Sequence, residues 1–226
     1  KNLVTVQDFR NFINASNYTT EAEIFGNAIV YDDSINIWQL VDGANWEFPL
    51  GKSKKISSYN HPVTQVSWND ALAYCKFCDK TLPSEVQWEY AASERGQKKN
   101  QLFYWGNDLL VNDKYMCNTW NSGYPNTIGF QDGFKYTSPI GHFEANSLGI
   151  FDMAGNVWEW CYNWHLPYEG NSQIFPTDLK GKAQRGGSFL CNSNYCHGFR
   201  LSARSATSPE SSLFHVGFRC VKNLTN

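Results

Sequence analysis

The chain has 226 residues, enough for one large domain or two small ones, and a net charge of −2, which excludes the clustered cationic surface that nucleic-acid binding requires. No apolar run approaches the roughly 20 residues needed to cross a bilayer, so no membrane span is expected. Aromatic residues make up 16% of the chain, and with 17 glycines they point to a loop-rich fold in which buried rings hold irregular backbone in place.

Three helices are predicted. Thr5 precedes Val6, Phe9, Phe12 and Ile13 on one face, with Asp8 in the first turn. Asn69 is placed to cap a helix through Ala71, Leu72, Tyr74 and Cys75. Ser84 and Gln87 form a capping box ahead of Trp88 and Tyr90. Short apolar runs predict strands at Ala28 to Tyr31, Val63 to Val66, Val157 to Trp160 and Val216 to Val221. From Trp105 to Phe151 there is almost no periodicity, and bound cations are the expected organiser of so long an irregular run.

Seven cysteines are many for a reducing compartment. Cys75 and Cys78 make one Cys-x-x-Cys on a predicted helix, with no second pair to complete a zinc pattern. Sequons at Asn14, Asn17 and Asn223 permit a secretory setting, and an oxidising compartment is expected: secretory lumen, periplasm or extracellular space. The chain begins at Lys1 with no apolar leader, so a trimmed N-terminus is expected.

The most informative spacing is Cys191 to Cys196, inside Arg185-Gly-Gly-Ser-Phe-Leu-Cys-Asn-Ser-Asn-Tyr-Cys-His-Gly-Phe-Arg200. Two thiols five residues apart on an irregular, polar segment can converge on a soft ion such as Cu(I) or close a small disulfide, and the spacing leaves both open. The setting reads as a reactive surface cleft. Asp152 with Glu159, and Asn118 with Asp132, are candidate oxygen cages for a hard cation such as calcium; ordinary Asx turns are the alternative. The five histidines show no metal-pair spacing, and a triad drawn from Ser188 and His215 is specified by nothing else.

The segments Val66-Ser-Trp-Asn-Asp-Ala71, Leu82-Pro-Ser-Glu-Val-Gln-Trp-Glu-Tyr90, Gly155-Asn-Val-Trp-Glu-Trp160, Arg185-Gly-Gly-Ser188 and Gly217-Phe-Arg-Cys220 resemble the formylglycine-generating enzyme (sulfatase-modifying factor) superfamily. The thiol segment, Ala203 to Ser212, Thr20 to Gly26 and Gly43-Ala-Asn-Trp46 narrow the resemblance to the formylglycine-generating enzymes themselves, over essentially the whole chain.

The resemblance implies a single domain over residues 1–226, with an α+β, loop-rich fold of C-type-lectin kinship. It implies an oxidoreductase that uses O2 and Cu(I) held by Cys191 and Cys196. The implied substrate is the cysteine of a Cys-x-Pro-x-Arg segment in an unfolded sulfatase, converted to Cα-formylglycine by a monomer. Ser188 and Tyr195 match catalytic positions; Trp158, Arg204 and His215 match substrate-binding positions, His215 standing where the family pattern has Asn. Two structural calcium ions are implied, one at Asn118, Thr119, Asp132 and Phe134, the other at Asp152, Gly155, Val157 and Glu159. A disulfide between Cys75 and Cys220 is implied too, while a second family disulfide falls on Ala92 and Leu201 and is absent. Cys78, Cys117 and Cys161 match no family role and are expected to be buried free thiols. Family members without catalysis lack the cysteine pair, so a non-catalytic binding module is the other reading.

Overall fold

A computed structural model describes residues 1–54, 57–121, 130–168 and 181–222. Helix α1 (Val6–Ser16) starts where predicted, because Thr5 Oγ1 accepts the Asp8 N–H at 3.0 Å and the Asp8 carboxylate accepts the Thr5 N–H at 3.1 Å. Its buried face is Val6, Phe9 and Phe12. Thr20 and Glu23 repeat this box for α2 (Glu21–Phe25), too short for periodicity to show. Helix α3 (Trp68–Phe77) is capped by Ser67, not by Asn69 as expected. Asp70 closes the box with Ser67, whereas the Asn69 amide donates to Glu21 at 2.9 Å. Helix α4 (Glu85–Ala92) opens on the predicted Ser84–Gln87 box.

Strand β1 (Asn27–Asp32) pairs antiparallel with β2 (Ile37–Asp42), and β3 (Leu110–Val111) with β4 (Lys114–Tyr115) makes a two-residue hairpin. The principal sheet joins β5 (Trp158–Trp164), β6 (Lys182–Arg185), β7 (Ser205–Thr207) and β8 (Val216–Gly217) in the order β7-β6-β5-β8, with β5 and β8 parallel. Two strand expectations change. Val63 to Val66 forms no ladder, because Gln65 takes a φ of 56° and spends its side-chain amide on the carbonyls of Pro49 and Ile29. The run from Val216 to Val221 supplies only the two residues of β8 and a separate bridge from Val221 to Thr81. The stretch from 105 to 151 is irregular apart from the β3–β4 hairpin among its described residues.

Two apolar clusters fix these elements. The larger joins α1, α3, α4 and β5 around Phe9, Trp88, Trp160 and Phe218, all fully buried; the Trp160 indole N–H donates to the Val66 carbonyl at 3.0 Å. The smaller gathers Trp120, Tyr136, Phe189 and Phe214, with the Phe189 and Phe214 rings 5.3 Å apart edge to face. Phe189 of the thiol segment packs in this second cluster while Cys191 packs in the first, so the candidate site is seated by both.

Candidate active site

Strand β6 ends at Arg185, whose fully buried guanidinium donates to Glu85 at 2.9 Å, to Glu89 at 2.6 Å and to the Leu201 carbonyl. The chain then turns through Gly186 and Gly187 with φ of 92° and 71°. A Cβ on Gly187 would lie 2.5 Å from the Phe199 nitrogen, so only glycine lets the start of the loop touch its return.

Between these points runs the thiol loop. The sulfurs of Cys191 and Cys196 lie 2.7 Å apart in a thiol–thiol hydrogen bond, with no disulfide between them. Cys191 is buried and Cys196 exposed, so the loop is not wholly the surface cleft read from its polar composition: Ser188, Cys191 and Asn192 lie inside and Cys196 forms the outer edge. Each sulfur takes one backbone N–H, Cys191 from Ser188 at 3.4 Å and Cys196 from Gly198 at 3.2 Å. Trp158 packs here too. A Cβ on Gly198 would stand 2.5 Å from the Trp158 ring and 2.8 Å from Cys191 Sγ.

The two thiols differ in acidity. Contact with Cys191 brings Cys196 down to about 7, and the Gly198 and Asn192 amides and the Arg200 charge help against burial. Burial, followed by the contact with Cys196, pushes Cys191 well up. Near neutrality the site presents one accessible thiolate backed by a protonated thiol.

Asn192 organises the turn, and the sequence reading gave it no role. Its carbonyl accepts the N–H groups of Tyr195, Cys196 and His197, at 3.1, 3.1 and 3.3 Å. Its side chain accepts from the Asn194 N–H at 2.8 Å and donates to the Trp120 carbonyl at 2.7 Å. The Trp120 N–H donates to the Cys191 carbonyl at 2.9 Å. An Asn two residues before another Asn is the Asx-turn signal that could have exposed this role. Asn156 was also missed. Its carbonyl accepts the Phe189 N–H, its own N–H donates to the Asn118 carbonyl, and its Oδ1 accepts from Ser138.

Asn118 and Thr119 thus lie on the same strip of chain that holds the thiol loop. The Asp132 carboxylate accepts the N–H groups of Thr119 at 2.9 Å and Phe134 at 3.0 Å, so the four residues of the first expected calcium site converge. Asn118 Oδ1 is buried without a partner, and burial raises the Asp132 carboxyl. An orphan oxygen near a half-buried carboxylate fits a hard cation.

At the second site, burial raises both Asp152 and Glu159, whose charges act on each other. Arg219 already grips Glu159 through two nitrogens, at 2.5 and 2.8 Å. Each carboxylate oxygen keeps a further lone pair, so the pairing and a bound cation are compatible.

Other expected residues sit differently. The Arg204 guanidinium is bound twice by Glu85, at 2.5 and 2.7 Å, and stacks on Tyr168. It lines a pocket with Trp68, Tyr162, Trp164 and Lys182, and no described contact brings it to the thiols. The Glu85 carboxylate holds the guanidinium there. His215 lies beside Trp38 at 5.0 Å between ring centres, and its carbonyl accepts the Trp158 N–H. Its buried Nδ1 has no partner, and burial lowers the imidazole to about 3, so it is neutral. Tyr195 is 72% exposed at the outer edge of the loop. The Cys75–Cys220 bridge is not formed in the structure, where all seven cysteines are free. The two side chains are nevertheless hydrogen-bonded neighbours. Cys117 and Cys161 are buried thiols as expected; Cys78 is only half-buried.

The family model for the sulfatase-modifying factor enzyme 1-like domain matches residues 1–224. The chain belongs to the FGE-sulfatase family. The FGE-sulfatase domain is 38% identical to the formylglycine-generating enzyme of Mus musculus over 96% of its own length and 63% of that protein. It therefore spans less than two thirds of that relative. It is also 35% identical to the protein named inactive Cα-formylglycine-generating enzyme 2 of Bos taurus, over 96% of this chain and 74% of that one. The structure of PvdO from Pseudomonas aeruginosa shares the fold, with a TM-score of 0.68 at 22% identity over 96% of this chain and 76% of that one. The loop-rich α+β architecture is that of this family, and among the described residues no helix is long and apolar enough to cross a membrane.

Proposed function

We propose that the FGE-sulfatase domain is a formylglycine-generating oxidase. It oxidises the cysteine of a Cys-x-Pro-x-Arg segment in an unfolded sulfatase to Cα-formylglycine, acting as a monomer in an oxidising compartment. The observation that carries this reading is the convergence of Cys191 and Cys196 at one point, one buried and one facing solvent.

Two converging thiols, with no third Cys, His, Asp or Glu grouped with them among the described residues, suit a soft monovalent ion. Held by Cys191 and Cys196, Cu(I) would supply one-electron reactivity towards O2 and affinity for a further thiolate, that of the substrate. In the net reaction a substrate –CH2–SH, O2 and two electrons with two protons from a thiol reductant give –CHO, hydrogen sulfide and water. The protein fixes the geometry. Cys196 is ionised near neutrality and reachable, and Cys191 is held by the Ser188 amide and the Trp120 main chain. Trp158 keeps water from the inner side of the pair. Ser188 Oγ, which already accepts from the Leu190 N–H, is placed by that bond to donate its own proton to an oxygen species or a substrate sulfur. Tyr195 meets the peptide at the rim.

Calcium at Asn118, Thr119, Asp132 and Phe134 stiffens the strip that continues into Trp120; the orphan Asn118 oxygen supports this assignment. A second ion is assigned to Asp152 and Glu159 with the carbonyls of Gly155 and Val157.

The test is mass spectrometry of a Cys-x-Pro-x-Arg peptide incubated aerobically with Cu(I)-loaded protein and a thiol reductant. The expected result is a copper-dependent mass loss matching –CH2SH becoming –CHO. Unchanged peptide with copper bound to both thiols would overturn the oxidase and favour a binding module of the same fold.

A further inference from the structure

The end of helix α3 brings together three sulfurs unrelated to the thiol loop. Cys75 lies in its last turn and Cys78 is the capping residue, with near-helical φ of −90° and ψ of 8°. Residues three apart on such a turn are neighbours on one face. The Cys75 carbonyl accepts both the Cys78 N–H at 3.1 Å and the Lys80 N–H at 2.8 Å, which folds the chain back over the helix end. The next residue, Thr81, is bridged to Val221 by reciprocal bonds of 2.9 and 2.8 Å. That bridge sets Cys220 against the same helix end, where its side chain is hydrogen-bonded to Cys75. Cys75 is completely buried; Cys78 and Cys220 are half-buried.

We propose that Cys75, Cys78 and Cys220 form a three-thiol exchange site in which Cys78 is the entry point for a small disulfide such as oxidised glutathione and Cys220 carries the bond inward to Cys75. A buried thiol with two half-buried cysteines at the same helix end suits sulfur exchange. A buried thiol cannot be reached by a bulky disulfide, whereas a half-buried neighbour can.

The steps balance. The Cys78 thiolate attacks one sulfur of oxidised glutathione and releases one glutathione thiol. The Cys220 thiolate attacks the Cys78 sulfur and releases the second. Cys75 then attacks Cys220, passing its proton to the departing Cys78 sulfur and leaving a Cys75–Cys220 bond. Two protein thiols lose two electrons and two protons, and one glutathione disulfide becomes two thiols. The hydrogen bond to Cys220 and burial keep Cys75 protonated, which suits it to the last place in the sequence.

The test is tryptic mapping of the folded, reduced protein quenched at intervals after mixing with oxidised glutathione. Lys76 separates Cys75 from Cys78, so each bond is read on its own peptide. In wild type the expected course is Cys78–glutathione and Cys78–Cys220 early, and Cys75–Cys220 late. Cys78→Ser is expected to form the Cys75–Cys220 bond about tenfold more slowly. Cys220→Ser, which blocks transfer, is expected to accumulate glutathione on Cys78. An unchanged rate in Cys78→Ser, or Cys78 left unmodified in Cys220→Ser, would overturn the proposal.

Discussion

Asn192 and Trp120 are joined across 72 positions of sequence: the Asn192 amide donates to the Trp120 carbonyl at 2.7 Å, and the Trp120 N–H donates to the carbonyl of Cys191 at 2.9 Å. The thiol loop is thereby fastened to the strip that begins at Asn118. Its cysteines are placed by a neighbouring segment as much as by their own.

Replacing Asn192 with Ala removes the amide that donates to the buried Trp120 carbonyl, at a cost of about 1–3 kcal/mol. The expected outcome is a lower melting temperature and slower peptide oxidation. It also removes the side-chain oxygen that accepts the Asn194 N–H, loosening the turn between the two cysteines. A variant that melts lower and oxidises peptide at the wild-type rate would show that Asn192 supports the fold alone.

Cys191→Ser and Cys196→Ser are each expected to abolish conversion of the substrate cysteine while circular dichroism stays native. In metal-free wild-type protein, alkylation of Cys196 should rise with pH about a midpoint near 7, the value that contact with Cys191 sets. In Cys191→Ser a hydroxyl replaces the sulfur, and the midpoint should move upward. Iodoacetamide kinetics with peptide mapping reads both.

His215 has a defined acid response. Its imidazole is held near 3 in the folded protein and titrates at about 6.5 when unfolded. Between those values the unfolded chain binds the extra proton, so this residue's contribution to stability falls as pH falls through the window. Asp70 acts in the opposite sense. Burial raises its carboxyl to about 6, and it takes up its proton in the folded state first as pH drops towards 3.8. Comparing His215→Asn with wild type by urea unfolding at pH 7 and pH 5 isolates the first effect. The variant should lose less stability on acidification, and equal losses would remove the histidine from the account.

Chelation with EDTA is expected to lower the melting temperature and the rate of peptide oxidation, with recovery on adding calcium. Asn118→Ala removes the orphan oxygen and should weaken the calcium response while leaving Cys196 alkylation measurable. An Asn118→Ala protein with an undiminished response to calcium would place the ion elsewhere.

Local signals were legible in the sequence because they act over three or four residues. The start of α1 at Thr5, its apolar face, the Ser84–Gln87 box, and the convergence of Cys191 with Cys196 follow from spacing and from a short, glycine-hinged loop. The family resemblance named the thiols and the residues proposed as oxygen ligands. Even locally the choice between neighbours failed where two caps competed: Ser67 took the helix because Asp70 completes its box, and Asn69 was drawn to Glu21.

Only the tertiary structure decided the rest, because those partners come from distant segments and charge pairing overrides sequence proximity. Arg204 is taken by Glu85 from 119 positions away and lines a pocket with Trp164 and Lys182. Glu159 is gripped by Arg219 across 60 positions, and Cys75 meets Cys220 at the end of α3. The sequence by itself determined which side chains are proposed to carry the chemistry. The burial of Cys191, the exposure of Cys196 and the acidity that separates them were settled by packing, since desolvation and hydrogen bonding exist only once the chain has folded.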